Sequence, residues 1–142
     1  MRLALCVALS VGAAGCPRLP PPPPRPSVAL ERIDRGGAER SLRAQLRVHN
    51  RGDAALTLHA VDWELVLAGR PLLRGRSPAR GSLAPGAHAA VLVAIALPAP
   101  IEGELRRGAA GGGRVELRGT VHLEDAAGRG RPAPFDDLAV LP

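Results

Sequence analysis

Cys16 is the residue of this chain whose surroundings point most directly to a chemical reaction. Arg2 is followed by an apolar run over residues 3–14, and small side chains at residues 13–15 come directly before the cysteine. Small side chains are what the cleavage pocket of a signal peptidase accepts. A cysteine directly after them is typical of a bacterial lipobox, in which the thiol receives a diacylglyceryl group before the leader is cut away. We therefore expect a lipoprotein signal peptide over residues 1–15 and a lipid on Cys16.

The length of the apolar run and the number of cysteines agree with this interpretation. The run is shorter than the ~20 residues of a membrane-spanning helix, so an uncleaved spanning anchor is the less favoured alternative. Cys6 lies within the expected leader, which leaves Cys16 as the sole cysteine of the mature chain. Neither a disulfide nor a multi-cysteine zinc or redox site is therefore expected. Two or more acyl chains on Cys16 would anchor the protein stably in a membrane.

The histidines are the remaining side chains that could bind a metal ion. The four are His49, His59, His88 and His122. Three of them lie on the polar faces of expected strands and His88 lies beside a turn, so histidines of neighbouring strands could meet. Because no carboxylate recurs at the spacing of metal ligands, ordinary surface histidines are the favoured interpretation, and we expect neither a metal site nor a cofactor.

The acidic and hydroxyl side chains do not form a recognisable catalytic set. Asp136 and Asp137 are adjacent, and adjacent residues of a strand point to opposite faces of the sheet. Ser77 and Ser82 lie outside any nucleophile-elbow pattern. We therefore predict no catalytic residue, no enzymatic activity and no small-molecule substrate.

The chain has a formal charge of +6, and all 19 of its basic residues are arginine. One interpretation is a coding bias toward arginine. The other is attraction to anionic lipid head groups, to which each charge near a membrane adds ~1 kcal/mol. The row of Arg43 and Arg47 with its basic neighbours is then the expected contact. Nucleic acid is not an expected partner, because the arginines are spread along the chain and only Trp63 and Phe135 could stack on bases.

Residues 16–26 predict a tether between the lipid anchor and a folded domain. Proline occupies residue 17, residues 20–24 and residue 26, and so many prolines exclude both helix and sheet. A polyproline II segment of about ten residues would hold a domain about 30 Å from a membrane. The remaining residues, 27–142, have the length of one domain.

Alternation of apolar and polar residues predicts that residues 27–142 fold as β-strands. A period of two is typical of strands that bury one face. The expected strands cover residues 28–33, 42–48, 56–67, 72–76, 89–97, 115–123 and 135–141. Within the third strand the apolar phase changes at Ala60 and Val61, which predicts a β-bulge. Trp63 shares the phase of Val61 and is expected in the core.

Turn sequences separate the expected strands. Residues 35–37, 50–53, 84–86 and 127–130 contain the Gly, Pro or Asn that turns require. Residues 108–113 are glycine-rich and predict a flexible loop. About seven short strands with regular turns and almost no helix indicate an all-β fold, an Ig-like or fibronectin-III-like β-sandwich.

An ordered set of turn and strand features spans residues 28–142. Asn50 and Gly52 stand between two alternating strands, and a Pro-Gly turn at residues 85–86 precedes an apolar strand. In this order the features resemble the LEA type 2 (late embryogenesis abundant) family, also called the WHy (water stress and hypersensitive response) domain. Asn50 stands where the family has the leading Asn of its turn, while Arg51 replaces its usual proline. The resemblance implies an Ig-like sandwich, an association with desiccation and stress, and no catalytic residues.

Two non-enzymatic functions are consistent with these features. The first is an envelope lipoprotein that helps the cell tolerate water loss or stress by binding membrane or protein surfaces. The second is a structural adaptor, an Ig-like interaction module in a protein complex of the cell envelope. Both place the chain in the bacterial envelope, held there by its lipid. Pro17 after the cysteine, in place of Asp, favours the outer membrane facing the periplasm, by resemblance to enterobacterial sorting rules.

Overall fold

The computed structural model describes residues 21–37 and 40–140. The expected signal peptide and Cys16, which is expected to carry the lipid, lie outside the described residues, and residues 21–26 of the expected tether form neither helix nor strand. The elements are β1 (Ser27–Arg35), β2 (Ser41–His49), β3 (Leu56–Leu67), β4 (Arg70–Leu83), β5 (His88–Ala96), α1 (Ala99–Ala110), β6 (Arg114–Asp125) and β7 (Ala133–Val140).

The strands form two antiparallel sheets. Sheet A has the strand order β1-β2-β5, and sheet B has the order β4-β3-β6-β7. Their inward faces bury a mainly aliphatic core, to which β2 gives Leu42, Ala44, Leu46 and Val48. Alternation gives each strand one apolar face, and stacking a second sheet on that face removes it from water. The expected all-β sandwich is confirmed at this level.

The bulge expected in β3 is present, one residue before the expected position. The pairing of β3 with β6 shifts between Leu58 and Ala60, so that His59 is an extra residue in β3. The extra residue leaves both Ala60 and Val61 buried and sets the inward phase that continues to Trp63.

The flexible loop expected at residues 108–113 is wrong for residues 108–110, because α1 includes them; residues 111–113 form the turn that leads to β6. Three apolar side chains at four-residue spacing pack one face of this helix on the core. They are Ile101, Leu105 and Ala109. These core contacts offset the cost of glycine in a helix of 12 residues, which would be marginal by itself.

β4 is longer than the expected strand over residues 72–76. It runs for 14 residues along the edge of sheet B and includes Pro71 and Pro78. An edge strand tolerates proline because the missing N–H can face away from the sheet. Within the described ranges 21–37 and 40–140, no helix has the length and apolar character needed to cross a membrane.

Candidate functional site

Charged side chains of neighbouring strands pair across the outer face of sheet B. Arg118 of β6 donates to Glu64 of β3, with 2.7 Å between Nε and Oε2, and this hydrogen bond raises the pKa of Arg118 above its ordinary value. Asp62, two residues earlier on β3, lies 2.6 Å from Nε2 of His122 and 3.4 Å from Nη1 of Arg76. These side chains form two charged rows, one through Glu64 and one through Asp62, that cross the sheet.

An open trough of about 710 Å³ lies between the two charged rows. Its floor is backbone, because the side chains of Trp63 and Phe135 are buried beneath it and the other two floor residues are Gly75 and Gly119. The walls alternate hydrogen-bond donors with acceptors. Such a surface can bind an extended polar ligand, and binding is the chemistry that the arrangement supports best.

The arginines expected to contact anionic lipid lie on the outer face of sheet A. Arg47 is paired with Glu31 of β1, which also accepts a hydrogen bond from Gln45 at 2.6 Å. Arg43 is exposed and makes no ion pair with any carboxylate of the described residues. Arg43, and not the whole row, is therefore the free positive charge of this strand.

The four histidines are distributed among three contacts. His49 and His88 meet at the end of sheet A, where their rings stack with centroids 4.0 Å apart. His122 pairs with Asp62, and His59 lies 3.6 Å from Glu124. No group of three or more His, Cys, Asp or Glu side chains in residues 21–37 and 40–140 could hold a metal ion.

His49 should titrate below its ordinary pKa of 6.5, because partial desolvation, His88 and Arg51 all disfavour its charged form. The unfolded chain then binds this proton at higher pH than the folded chain, so the fold should lose stability as the pH falls below about 6.5. We expect His88→Ala to raise the pKa of His49, measured by NMR titration of the imidazole.

His59→Ala is the matched control for this titration, because it removes a histidine that contacts Glu124 instead of His49. It should leave the His49 titration where it is in the wild type. An unchanged pKa of His49 in His88→Ala would contradict the electrostatic coupling of the stacked pair.

Asn50 is buried and ties two turns together. Its amide Nδ2 donates to the carbonyl oxygens of Ala54 at 2.8 Å and of Leu83 and Ala84 at 3.1 Å. Its Oδ1 accepts a hydrogen bond from the N–H of Gly52 at 3.1 Å. The local turn expected from the sequence is thus joined to the turn between β4 and β5, more than 30 residues further along the chain.

Trp63 lies in the core, with 8% of its surface exposed, and its Nε1 donates to Ser77 Oγ at 3.0 Å. Its ring covers Gly75, where a Cβ atom would come within 2.5 Å of Cζ2. Gly119 is covered by the ring of Phe135 and lies close to the carbonyl oxygen of Asp62. Neither glycine was predicted to lie under an aromatic ring, although glycine inside a strand is itself a signal of close approach.

Asp125 and Asp137 make structural contacts that the sequence pattern did not predict. Asp125 accepts hydrogen bonds from the backbone N–H groups of Arg129 and Ala127, and these lower the pKa of Asp125 despite its desolvation. Asp137 accepts the N–H of Leu30 at 2.7 Å and so joins β7 to β1. Asp136 lines the trough, so the adjacent pair does divide between two faces.

Comparison with known proteins gives a likeness in structure. No family model matches the chain, and no curated protein matches it. The solved protein AT1g01470 of Arabidopsis thaliana has a TM-score of 0.60 at 19% identity, covering 91% of this chain and 89% of its own. A candidate late embryogenesis abundant (LEA) protein, At2g46140.1, has a TM-score of 0.61 at 16% identity, covering 82% and 70%. The candidate ApaA protein of Bordetella pertussis has a TM-score of 0.59 at 18% identity, covering 84% and 96%. At these identities the likeness shows a shared fold, and that fold is LEA-like.

Proposed function

We propose that this chain is a non-enzymatic, lipid-anchored protein of the bacterial cell envelope whose LEA type 2-like, WHy-like domain acts in desiccation and stress tolerance. It acts by binding membrane or protein surfaces. The observation that carries the proposal is the LEA-like fold, because the turn and strand features of the sequence resemble the same family independently. The ion-paired rows beside the trough support binding as the mode of action.

The strand order supports the finer assignment of a fibronectin-III-like sandwich. In a constant-type Ig domain the fourth strand pairs in the sheet of the first, second and fifth strands. Here β4 pairs with β3, in the sheet of the third, sixth and seventh strands. This chain and a constant-type Ig domain therefore differ in the sheet to which the fourth strand belongs. The two-layer architecture around a central core is the same in both.

The contact between the tether and the sandwich indicates how a lipid-anchored domain would be oriented relative to the membrane. Pro24 and Pro26 lie beside Asn50 and Asp125, at the end of the sandwich where β1 begins. A lipid on Cys16 would hold this end toward the membrane. α1 lies at the opposite end, since it follows the last residue of β5, and it would face away from the lipid.

Cys16→Ala in the full chain should abolish labelling by a fatty-acid probe and should leave cells no more tolerant of drying than cells without the protein. The sulfur of Cys16 is the atom that would carry the lipid, and the proposed role requires the domain to be held at the envelope. Labelling is read on a gel, and tolerance is read as survival after drying and rehydration.

Cys6→Ala is the matched control, because it removes the other cysteine and should keep both the label and the survival of the wild type. Equal label in Cys16→Ala would contradict lipid attachment. Loss of label with full survival would contradict the stress role and favour the structural adaptor. The adaptor makes its own prediction: a stoichiometric partner should be recovered after crosslinking in intact envelopes.

A further inference from the structure

β5 is an edge strand without the features that usually protect an edge. In the described part of the chain, β2 pairs along one side of it and no strand pairs along the other. Its pairing with β2 is unbroken over nine residues. Residues 89–97 contain no charge and no proline. A long, regular, apolar edge of this kind is a template for pairing with another strand.

The outward face of β5 is also apolar. Leu92 is 57% exposed, and its neighbours on that face are alanines. They are Ala90, Ala94 and Ala96. Leu92 is therefore a large apolar side chain that lies between alanines along β5 and opposite Gln45 of β2, and the outer backbone groups of β5 have no strand partner among the described residues.

The other edges of the sandwich are protected. β4 carries Pro71 and Pro78 together with exposed arginines, which disfavour the addition of a strand. β1 has an irregular register between Leu30 and Arg32, and the N–H of Leu30 already donates to Asp137. β7 carries Pro134, Asp136 and Asp137, and Asp137 is the acceptor of that Leu30 N–H. The contrast within one chain singles out β5 as the edge that is open to a partner strand.

The sequence of β5 indicates which strand fits it. Residues 90–94 read Ala-Val-Leu-Val-Ala, which is the same in both directions about Leu92. Antiparallel pairing of this strand with itself about Leu92 therefore sets Val91 against Val93, Ala90 against Ala94 and Leu92 against Leu92. In this register the inward residues of one copy lie opposite inward residues of the other, and the outward residues lie opposite outward residues. Alternation of faces fixes the register of a sheet in this way.

We propose that β5 pairs antiparallel with β5 of a second copy of this chain, about a two-fold axis at Leu92. The two copies of sheet A then form one continuous six-stranded sheet, and each Leu92 covers the other. The arginines of β2 are three strand spacings from β2 of the other copy, or about 14 Å. That distance exceeds the screening length of about 8 Å at physiological salt, so the repulsion between the β2 arginines of the two copies is largely screened.

Disulfide trapping in intact cells tests whether the two-fold axis lies at Leu92. In the full chain, Leu92→Cys should form a disulfide-linked dimer on oxidation, because directly opposed strand residues have Cβ atoms about 4.5–5.5 Å apart. Leu138→Cys is the matched control, since Leu138 is also on an edge strand and is 62% exposed. It should give no more dimer than the wild type, which reports any background from the native cysteines.

A second trapping experiment tests the register. Two differently tagged full chains, one with Ala90→Cys and one with Ala94→Cys, should form a disulfide with each other, while Ala90→Cys should not link to itself. Adding Leu92→Lys to both copies should abolish the link, because like charges would face each other. Leu92→Lys in one copy and Leu92→Glu in the other should restore it, which excludes misfolding as the cause of the loss.

These outcomes either support the proposal or overturn it. A dimer from Leu92→Cys with the expected register pair supports it. Equal dimer from Leu92→Cys and Leu138→Cys, no dimer from Leu92→Cys, or a link from Leu92→Cys to a different protein would each overturn pairing between two copies. None of them depends on whether the domain acts in stress tolerance.

Discussion

Trp63→Ala should lower the free energy of unfolding by about 3–5 kcal/mol, the usual range for removal of a large buried aromatic side chain. The loss has two parts, because the substitution leaves a cavity over Gly75 and leaves Ser77 without the indole N–H. A domain of this size has a total stability of about 5–15 kcal/mol, so the variant should unfold at much lower urea concentration. Far-UV circular dichroism of the full chain measures the transition, since the variant lacks the only tryptophan as a fluorescent probe.

Trp63→Phe is the control for this prediction. A phenyl ring can still cover Gly75, so this variant should keep most of the stability and lose chiefly the hydrogen bond to Ser77. Trp63→Ala with wild-type stability would contradict the burial of the ring in the core of sheet B.

Asn50→Ala should also be strongly destabilising, by about 3–5 kcal/mol. The substitution removes the two amide N–H groups that are shared among three carbonyl oxygens and the oxygen that accepts one backbone N–H, and buried polar groups left without partners cost ~1–3 kcal/mol each. The effect should appear in urea unfolding, and proteolysis should show both connected turns opening together.

Asn50→Asp separates the local role of this residue from its long-range role. Aspartate keeps the oxygen that accepts the N–H of Gly52, so a purely local turn residue would tolerate it. It cannot donate to Ala54, Leu83 or Ala84, and it places a charge beside their carbonyl oxygens. We therefore expect Asn50→Asp to be about as destabilising as Asn50→Ala, and near-wild-type stability would show that the link between the turns contributes little.

The sequence by itself determined the strand content and the sandwich. Alternation with a period of two is a local property, and it placed β2, β3, β5 and β6 to within a few residues. The phase change in β3 is local as well, so the bulge beside Ala60 could be predicted without any knowledge of the other strands. The same ordered features indicated the LEA type 2 family, and the fold of the chain is LEA-like.

The tertiary structure alone decided the remaining features, because each depends on residues that are far apart in the sequence. α1 is short and contains glycine, so its local propensity is weak, and it forms because Leu105 and its neighbours reach the core. Sheet pairing brings Glu31 to Arg47 and so pairs one of the two arginines that were expected to contact anionic lipid. Strand order likewise decides three further features. It brings the second turn to Asn50 and the two glycines under the aromatic rings. It also leaves the β5 edge open while the β4 edge is protected. Hydrophobic periodicity assigns each residue a face, and only the packing of the sheets assigns that face its neighbours.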